Sequence, residues 1–263
     1  MAKITKIEAQ KKPGRYNIYL DGKYAFPVAE SVLIQFRLLK GMDVDKELAA
    51  TIITADQMAK AYSRMLDYLS HQLRTESEII QKLKELDTPD EFIEPILEKL
   101  RQQKLVDDHE YAASYVRTVM NTELKGPNVI RQKLRLKKIV ENDIDDALTQ
   151  FTLDVQLENA NKLAQKLFRR YRSQPTRRQE QKVRQGLMVN GYSAGIYDQV
   201  KEQAEPEEDA DQQQELLEQQ ANKLWQRYRR YSGREREMKF KQGMYRKGFD
   251  LDMVQTWLDE HNL

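Results

Sequence analysis

The sequence predicts a mainly α-helical protein, built as tandem three-helix repeats in a curved elongated array after a small N-terminal β-hairpin region. Four segments that begin at Gln81, Gln132, Gln185 and Gln242 align without gaps. Their period of about 50 residues is typical of repeat proteins, in which each unit mainly contacts its neighbours. The first thirty residues lack this pattern and alternate apolar with polar residues, as strands do.

Residues 1–56 are predicted to form a β-hairpin and helix region. The segment "ITKIEAQ" alternates in polarity, and "RYNIYLDGKYAFPV" holds two β-favouring runs around Asp21-Gly22. This dipeptide is typical of a two-residue hairpin turn. From Ser31 onward Gly and Pro become sparse and charged residues recur three and four positions apart, which predicts helices.

Each repeat is predicted to contain a long helix, a short helix, a turn and a third helix. Apolar residues occupy three equivalent places in the aligned segments and are predicted to form the cores. They are Leu83, Leu134, Leu187 and Met244 at the third place, Ile93, Ile144, Tyr197 and Val254 at the thirteenth, and Ile96, Ala147, Val200 and Trp257 at the sixteenth. Gly191 and Gly248 stand where a left-handed residue commonly ends a helix.

The predicted repeats span residues 57–104, 105–152, 153–205 and 206–263. They are called repeats 1 to 4 below. The acidic stretch "EQAEPEEDADQQQ" is expected to join repeats 3 and 4, either as a frayed connection or as the start of the next long helix.

Charge is unevenly distributed, although the formal net charge is only +2. Nine Lys or Arg residues lie between Asn161 and Tyr192 beside a single acid, and ten lie between Asn222 and Phe249 beside two acids. Between these blocks, Glu202 to Glu218 contains eight acids and no base. Such blocks create local fields that act on partners despite the near-neutral total.

A helix-like stretch occurs twice in the basic blocks, as "ANKLAQKLFRR" from Ala160 and "ANKLWQRYRRY" from Ala221. Helical spacing places its apolar residues on one face and its cations on another. Both faces recur, whereas a core requires only the apolar one. The bland interpretation is a solvated face whose long stems cover apolar surface. The sharper one is a surface for a polyanion, usually nucleic acid.

The candidate DNA- or filament-binding residues are therefore the cations of the duplicated helix and of the helix that follows it. They are Lys162, Lys166, Arg169, Arg170, Arg177, Arg178, Lys223, Arg227, Arg230 and Arg234. Of these, the four cations of repeat 4 are predicted to form one stripe along its duplicated helix: Lys223, Arg227, Arg230 and Arg234. Most aromatic residues nearby, such as Trp225, Tyr228 and Phe168, are predicted to be core, which leaves one or two for base stacking.

Composition argues against several other classes. Without cysteine there is no disulfide, thiolate metal site or thiol nucleophile, which suits a reducing cytoplasm. The N-terminal residues lack the apolar core of a secretory signal, and no apolar run approaches the length of a membrane span. The three histidines are far apart, "DDHE" at Asp107 is expected to start a helix, and no phosphate-binding loop occurs. We expect no catalysis, no metal and no cofactor.

The segment Leu105 to Leu148 resembles the RecX family of RecA regulators. The matching features are an acidic-Tyr-Ala opening, Tyr115 and Arg117, Lys125-Gly126-Pro127, Ile130 and Leu134. Leu69 to Glu85 resembles the preceding unit of that family, and the hairpin and the extra fourth repeat resemble its longer Gram-positive members. The family usually has Gly where this chain has Lys138, so the turn is either made by Lys or reshaped.

This resemblance implies tandem three-helix repeats that bind the RecA–DNA filament, lie along its groove, and inhibit strand exchange and co-protease activity without bond-making. It implies RecA filaments and single-stranded DNA as partners, with duplex DNA as a further candidate and no membrane. Two other readings stay open. One is a general nucleic-acid binder without filament specificity, and the other is an adaptor whose acidic and basic blocks pair between chains.

Overall fold

The computed structural model describes residues 1–204 and 210–261, and these form two compact units, one of Met1–Tyr111 and one from Ala112 onward. Four strands lie near the N-terminus and thirteen helices follow from Glu30 in the described residues. The predicted fold class, mainly α with a small N-terminal β region, is confirmed.

The N-terminal sheet contains β1 (Ala2–Ala9), β2 (Arg15–Leu20), β3 (Lys23–Ala29) and β4 (Asp43–Val44), paired antiparallel in the order β3-β2-β1-β4. The predicted hairpin joins β2 to β3. Its two turn residues both have positive φ, 47° at Asp21 and 80° at Gly22, as a two-residue primed turn requires. The helix predicted from Ser31 is the short α1 (Glu30–Gln35). The two-residue β4 was not predicted, because so short a strand has no alternation to recognise.

The sheet docks on α2 (Lys46–Leu69) through apolar packing and one largely buried ion pair. The guanidinium of Arg15 donates two hydrogen bonds to the carboxylate of Asp56, at 2.7 and 3.0 Å. Asp56 also accepts the backbone N–H of Ala29 at 2.6 Å. Ile18, Val28 and Ile52 are fully buried beside this contact. Because α2 continues past residue 57, the hairpin region and repeat 1 share one helix.

The repeats follow as groups of three helices. Repeat 1 uses α2 with α3 (Glu76–Glu85) and α4 (Asp90–Gln102), and repeat 2 has α5 (Asp108–Thr122), α6 (Pro127–Leu136) and α7 (Glu141–Leu148). Repeat 3 has α8 (Leu153–Tyr171), α9 (Thr176–Val189) and α10 (Ile196–Ala204), and repeat 4 has α11 (Ala210–Arg227), α12 (Gly233–Lys247) and α13 (Leu251–Glu260). Of the acidic stretch expected between repeats 3 and 4, residues 205–209 lie outside the described residues, and its last part, from Ala210, begins α11.

The predicted core positions are buried in every repeat. The third-place residues are at most 1% exposed, and the thirteenth- and sixteenth-place residues are at most 9% exposed. In repeat 4, Trp257 packs against Phe240 with ring centroids 5.2 Å apart, within a core that includes Leu217, Leu224 and Met244. Burial of these large side chains stabilises each repeat by a few kcal/mol per residue, at about 25 cal/mol per Å² of apolar surface.

The second helix of each repeat ends in the same left-handed turn. The turn residue has φ of 53° at Asp87, 66° at Lys138, 94° at Gly191 and 100° at Gly248. In each case the next residue donates its N–H to a carbonyl five residues back, at 3.1 to 3.2 Å. This bond satisfies one of the carbonyls that would otherwise be unpaired at the end of the helix. Lys138 therefore makes the turn that Gly makes in repeats 3 and 4, and repeat 2 keeps the common geometry.

Candidate nucleic-acid interface

The duplicated helix is α8 in repeat 3 and α11 in repeat 4, and both bury the predicted apolar face. Ala160, Ala164 and Leu167 are buried on α8, as are Leu217 and Leu224 on α11. The opposite face of each helix is left to solvent. Here the long basic side chains lie, because a helix of this spacing cannot bury both faces against one core.

On α8 the candidate cations are all exposed but differ in their partners. Lys162 forms an ion pair with Glu158, one turn earlier, at 2.5 Å. Arg170 lies over the ring of Tyr171 at 5.7 Å. Lys166 and Arg169 have no acidic partner among residues 1–204 and 210–261. These two cations are therefore available to an external anion.

In repeat 4 the predicted single stripe is wrong in part. Lys223 and Arg227 lie on the exposed face of α11, but the helix ends at Arg227. Arg230 falls in the following turn with its guanidinium 5.0 Å from the ring of Tyr231, and Arg234 belongs to the first turn of α12. Beyond Arg227, the N–H groups of Arg229 and Tyr231 each bond to a carbonyl three residues back, which tightens the chain before α12 begins.

The aromatic residues of this region are largely occupied. Trp225 is partly buried, and the guanidinium of Arg236 stacks on it at 3.8 Å while donating to its carbonyl oxygen at 2.8 Å. Tyr231 has Arg230 and Lys239 over its ring, the latter at 4.5 Å. Cation–π contacts of this kind occupy ring faces that a base would otherwise use.

Arg177 and Arg178 lie in the first turn of α9, where repeat 3 meets repeat 4. The guanidinium of Arg177 stacks on Tyr245 of α12 at 4.0 Å and also donates to its hydroxyl. A Cβ added to Gly248 would lie 3.0 Å from the Cβ of Arg178, so the two backbones approach closely. The position of these two arginines is thus set by a neighbouring repeat.

Other cations are neutralised within their own repeat. In repeat 2, Arg131 donates to Asp145 at 2.6 Å and, together with Arg135, binds Glu141. Hydrogen bonds from Arg135 and then Arg131 lower the pKa of Glu141 to about 2, so this carboxylate stays charged at neutral pH. In repeat 3, Arg184 binds Asp198 at 2.7 Å, which repeats the Arg131–Asp145 pair.

Repeat 4 lacks the acid of that pair. Gln255 occupies the place of Asp145 and Asp198, and Lys241 occupies the place of the arginines. The substitution removes one negative charge from the surface of α13. Together with Lys166, Arg169, Lys223 and Arg227, it concentrates uncompensated positive charge in repeats 3 and 4.

The four motif residues of repeat 2 have different surroundings. Tyr115 is half-buried and Arg117 is exposed, both on α5. Lys125 donates to the side-chain oxygen of Asn190 in repeat 3 at 2.9 Å. The N–H of Gly126 donates to the carbonyl of Asn190 at 2.7 Å. Lys125 and Gly126 therefore form part of the joint between repeats 2 and 3.

The sequence alone did not reveal this joint. Gly191 was predicted only to end α9, but the first turn of α6 also packs directly against its backbone. A Cβ on Gly126 would lie 2.5 Å from the carbonyl carbon of Gly191. Gly126 and Gly191 are 65 residues apart. Their contact follows from how the start of α6 packs on the end of α9, and the spacing of residues within one repeat does not determine how two repeats pack.

No group of three or more His, Asp or Glu side chains that could hold a metal ion occurs within residues 1–204 and 210–261. Over the same ranges, no helix has the length and apolar character needed to cross a bilayer. Burial raises the pKa of Tyr192 to about 12, which keeps this hydroxyl protonated inside the core of repeat 3.

Family models cover most of the chain. The "Regulatory protein RecX N-terminal domain" matches residues 2–45, and the first and second three-helix domains of RecX match residues 61–100 and 107–148. The third three-helix domain matches twice, at residues 154–200 and 211–258. The chain belongs to the RecX family of regulatory proteins.

Relatives and solved structures agree with this assignment. "Regulatory protein RecX" of Limosilactobacillus reuteri (strain DSM 20016) is 69% identical over 259 residues, covering 98% of each chain. Those of Levilactobacillus brevis and Bacillus cytotoxicus are 55% and 36% identical, each covering 98% of this chain and 97% of the relative.

A crystal structure of regulatory protein RecX is 71% identical, with a TM-score of 0.73, and covers 77% of this chain and all of the other. The crystal structure of RecX from Lactobacillus salivarius is 41% identical, with a TM-score of 0.55, and covers 57% of this chain and 97% of the other. The double match to the third domain shows that repeats 3 and 4 resemble one family unit, which agrees with the duplicated helix.

Proposed function

We propose that this protein binds the RecA–DNA filament and inhibits the recombinase and co-protease activities of RecA. Membership of the RecX family supports a regulatory role, and its resemblance to RecA regulators supplies the partner. The proposed mechanism is steric and electrostatic, without bond-making, in the cytoplasm and away from any membrane. The four repeats, with borders at residues 57, 105, 153 and 206, are the proposed binding units.

The observation that carries the proposal is the uncompensated positive charge of repeats 3 and 4. Lys166, Arg169, Lys223 and Arg227 project from the exposed faces of two like helices, and no acid pairs with them in the described residues. Phosphate contacts of this kind position a protein on nucleic acid without reading its sequence. A filament regulator must bind irrespective of sequence, and this surface suits that requirement.

The second candidate is a general nucleic-acid binder without filament specificity. The same unpaired cations favour it, because phosphates alone would satisfy them. A self-pairing adaptor is a third reading, supported by the alternation of basic and acidic blocks in the sequence.

The test compares binding to a preassembled RecA filament with binding to naked single-stranded DNA, at several salt concentrations. The filament regulator is expected to bind the filament at least tenfold more tightly and to suppress strand exchange by RecA. Equal or tighter binding to naked DNA favours the general binder. Concentration-dependent self-association without DNA or filament affinity would contradict both and favour the adaptor.

A further inference from the structure

The joint between repeats 2 and 3 contains two backbone–backbone hydrogen bonds beside the Lys125–Asn190 side-chain bond described above. Gly126 donates its N–H to the carbonyl of Asn190 at 2.7 Å, and Asn128 donates to the carbonyl of Gly191 at 3.1 Å. The side chain of Asn159 adds a buried bond to the carbonyl of Met120 at 2.8 Å. Backbone bonds between close-packed glycines allow few alternative arrangements.

The joint between repeats 3 and 4 brings together the same helix ends with different bonds. The first turn of α9 again meets the left-handed turn of the next second helix, here at Gly248. No backbone pair equivalent to the two above joins them in residues 1–204 and 210–261. The bonds that replace them come from side chains, with Gln213 donating to the carbonyl of Gln174 at 3.2 Å and Arg177 bound to Tyr245.

The Arg177–Tyr245 contact lies near the surface, since Tyr245 is 43% exposed. The guanidinium lies 4.0 Å from the ring centroid and also donates to the hydroxyl, so one arginine contacts both the ring face and the hydroxyl of Tyr245. Both contacts join a side chain of α9 to one of α12, so together they restrict the movement of α12 relative to α9. An arginine held in this way is poorly placed to contact a phosphate at the same time.

We infer that Arg177 and Tyr245 are positioning residues, which hold repeat 4 against repeat 3 so that the unpaired cations of both repeats engage one ligand together. This inference rests on the proposed function and changes the role predicted for Arg177 from phosphate contact to joint. Two linked binding surfaces gain affinity only while their geometry permits simultaneous contact. A looser joint therefore weakens binding, although all four unpaired cations are still present: Lys166, Arg169, Lys223 and Arg227.

The first experiment measures the joint directly. The chain has no cysteine, so spin labels can be attached at Gln185→Cys in α9 and Gln255→Cys in α13, both exposed sites. Pulsed electron paramagnetic resonance is expected to give one narrow distance distribution, which Tyr245→Ala broadens and Tyr245→Phe broadens less, because Phe keeps the stacking. A control pair at Gln132→Cys and Gln185→Cys spans repeats 2 and 3 and is expected to be unaffected by either change.

The second experiment measures binding to the RecA filament and to single-stranded DNA as salt is varied. Tyr245→Ala and Arg177→Ala are each expected to weaken binding by about tenfold, and the double variant no further, because both break one contact. Tyr245→Ala removes no charge, yet it is expected to flatten the salt dependence, because repeat 4 leaves the ligand together with its cations. A merely local role for Tyr245 would leave the slope unchanged.

Two results would overturn the inference. One is a distance distribution that Tyr245→Ala leaves unchanged in a folded variant. The other is a salt slope that Arg177→Ala reduces and Tyr245→Ala leaves unchanged, which would make Arg177 a phosphate contact. Failure of the proposed function would be seen separately, as a wild-type protein that binds neither ligand. The distance measurement needs no ligand, so it tests the joint in either case.

Discussion

Lys138 holds a left-handed backbone conformation, φ 66°, that costs a non-glycine residue about 1–2 kcal/mol. Its side chain is exposed, so Lys138→Gly removes that cost without losing buried contacts. The opposing effect is that Gly loses more backbone entropy on folding than Lys does. We expect Lys138→Gly to stabilise the protein by about 1 kcal/mol, measured as a higher urea midpoint. Asp87→Gly at the equivalent turn is the matched control, with a smaller expected gain because Asp tolerates this region better.

Gly126 lies within contact distance of a backbone in another repeat, although its own φ of −87° suits any residue. A Cβ there would meet the carbonyl carbon of Gly191 at 2.5 Å, so the two chains must separate. We expect Gly126→Ala to destabilise the protein by about 1–3 kcal/mol through overpacking alone. Gly195→Ala is the control, since nothing lies within 4 Å of its Cβ position. Equal urea midpoints for the two variants would contradict the close approach.

At the scale of elements, the Arg15–Asp56 pair couples the N-terminal sheet to α2 and so to repeat 1. Asp56 is buried and satisfies both Arg15 and the N–H of Ala29. Removing Asp56 leaves the largely buried guanidinium of Arg15 and the N–H of Ala29 without this partner. We expect Asp56→Ala to destabilise the first unit by about 3–5 kcal/mol. The exposed Lys3–Asp43 pair, at 3.9 Å, is the control, and Asp43→Ala is expected to cost less than about 1 kcal/mol.

The sequence predicted the elements well where one short-range rule decided them. The hairpin at Asp21-Gly22 and the core spacing after each aligned Gln depend on local conformation and on period, and both are confirmed. The end of α11 was missed, because the cations at Arg230 and Arg234 continue the helical spacing of Lys223 and Arg227 while the backbone does not. The pairs Arg131–Asp145 and Arg184–Asp198 could not be recognised from sequence, because each joins two helices, whereas Lys162 and Glu158 pair within α8 at a spacing of four.

At the scale of the whole molecule, two pairs of cations on like helices are expected to contribute equally to binding. Each phosphate contact on single-stranded nucleic acid changes the slope of log affinity against log salt by about 0.7. Replacing Lys223 and Arg227 with Ala is therefore expected to flatten the slope by about 1.4, and replacing Lys166 and Arg169 with Ala by the same amount. Binding to DNA or filament at a series of salt concentrations measures both.

The control for this prediction is Lys162→Ala, which removes a cation from the same helix as Lys166. Glu158 already neutralises Lys162 at 2.5 Å, so its loss is expected to change the slope by much less than one contact. Folding should be preserved in every variant, because these side chains are exposed and Ala is the strongest helix former. If Lys162→Ala flattens the slope as much as Lys166→Ala does, ion pairing within the chain does not decide which cations bind, and total charge alone sets the affinity. If folded double variants keep the wild-type slope, these faces are only solvated surfaces and the ligand binds elsewhere.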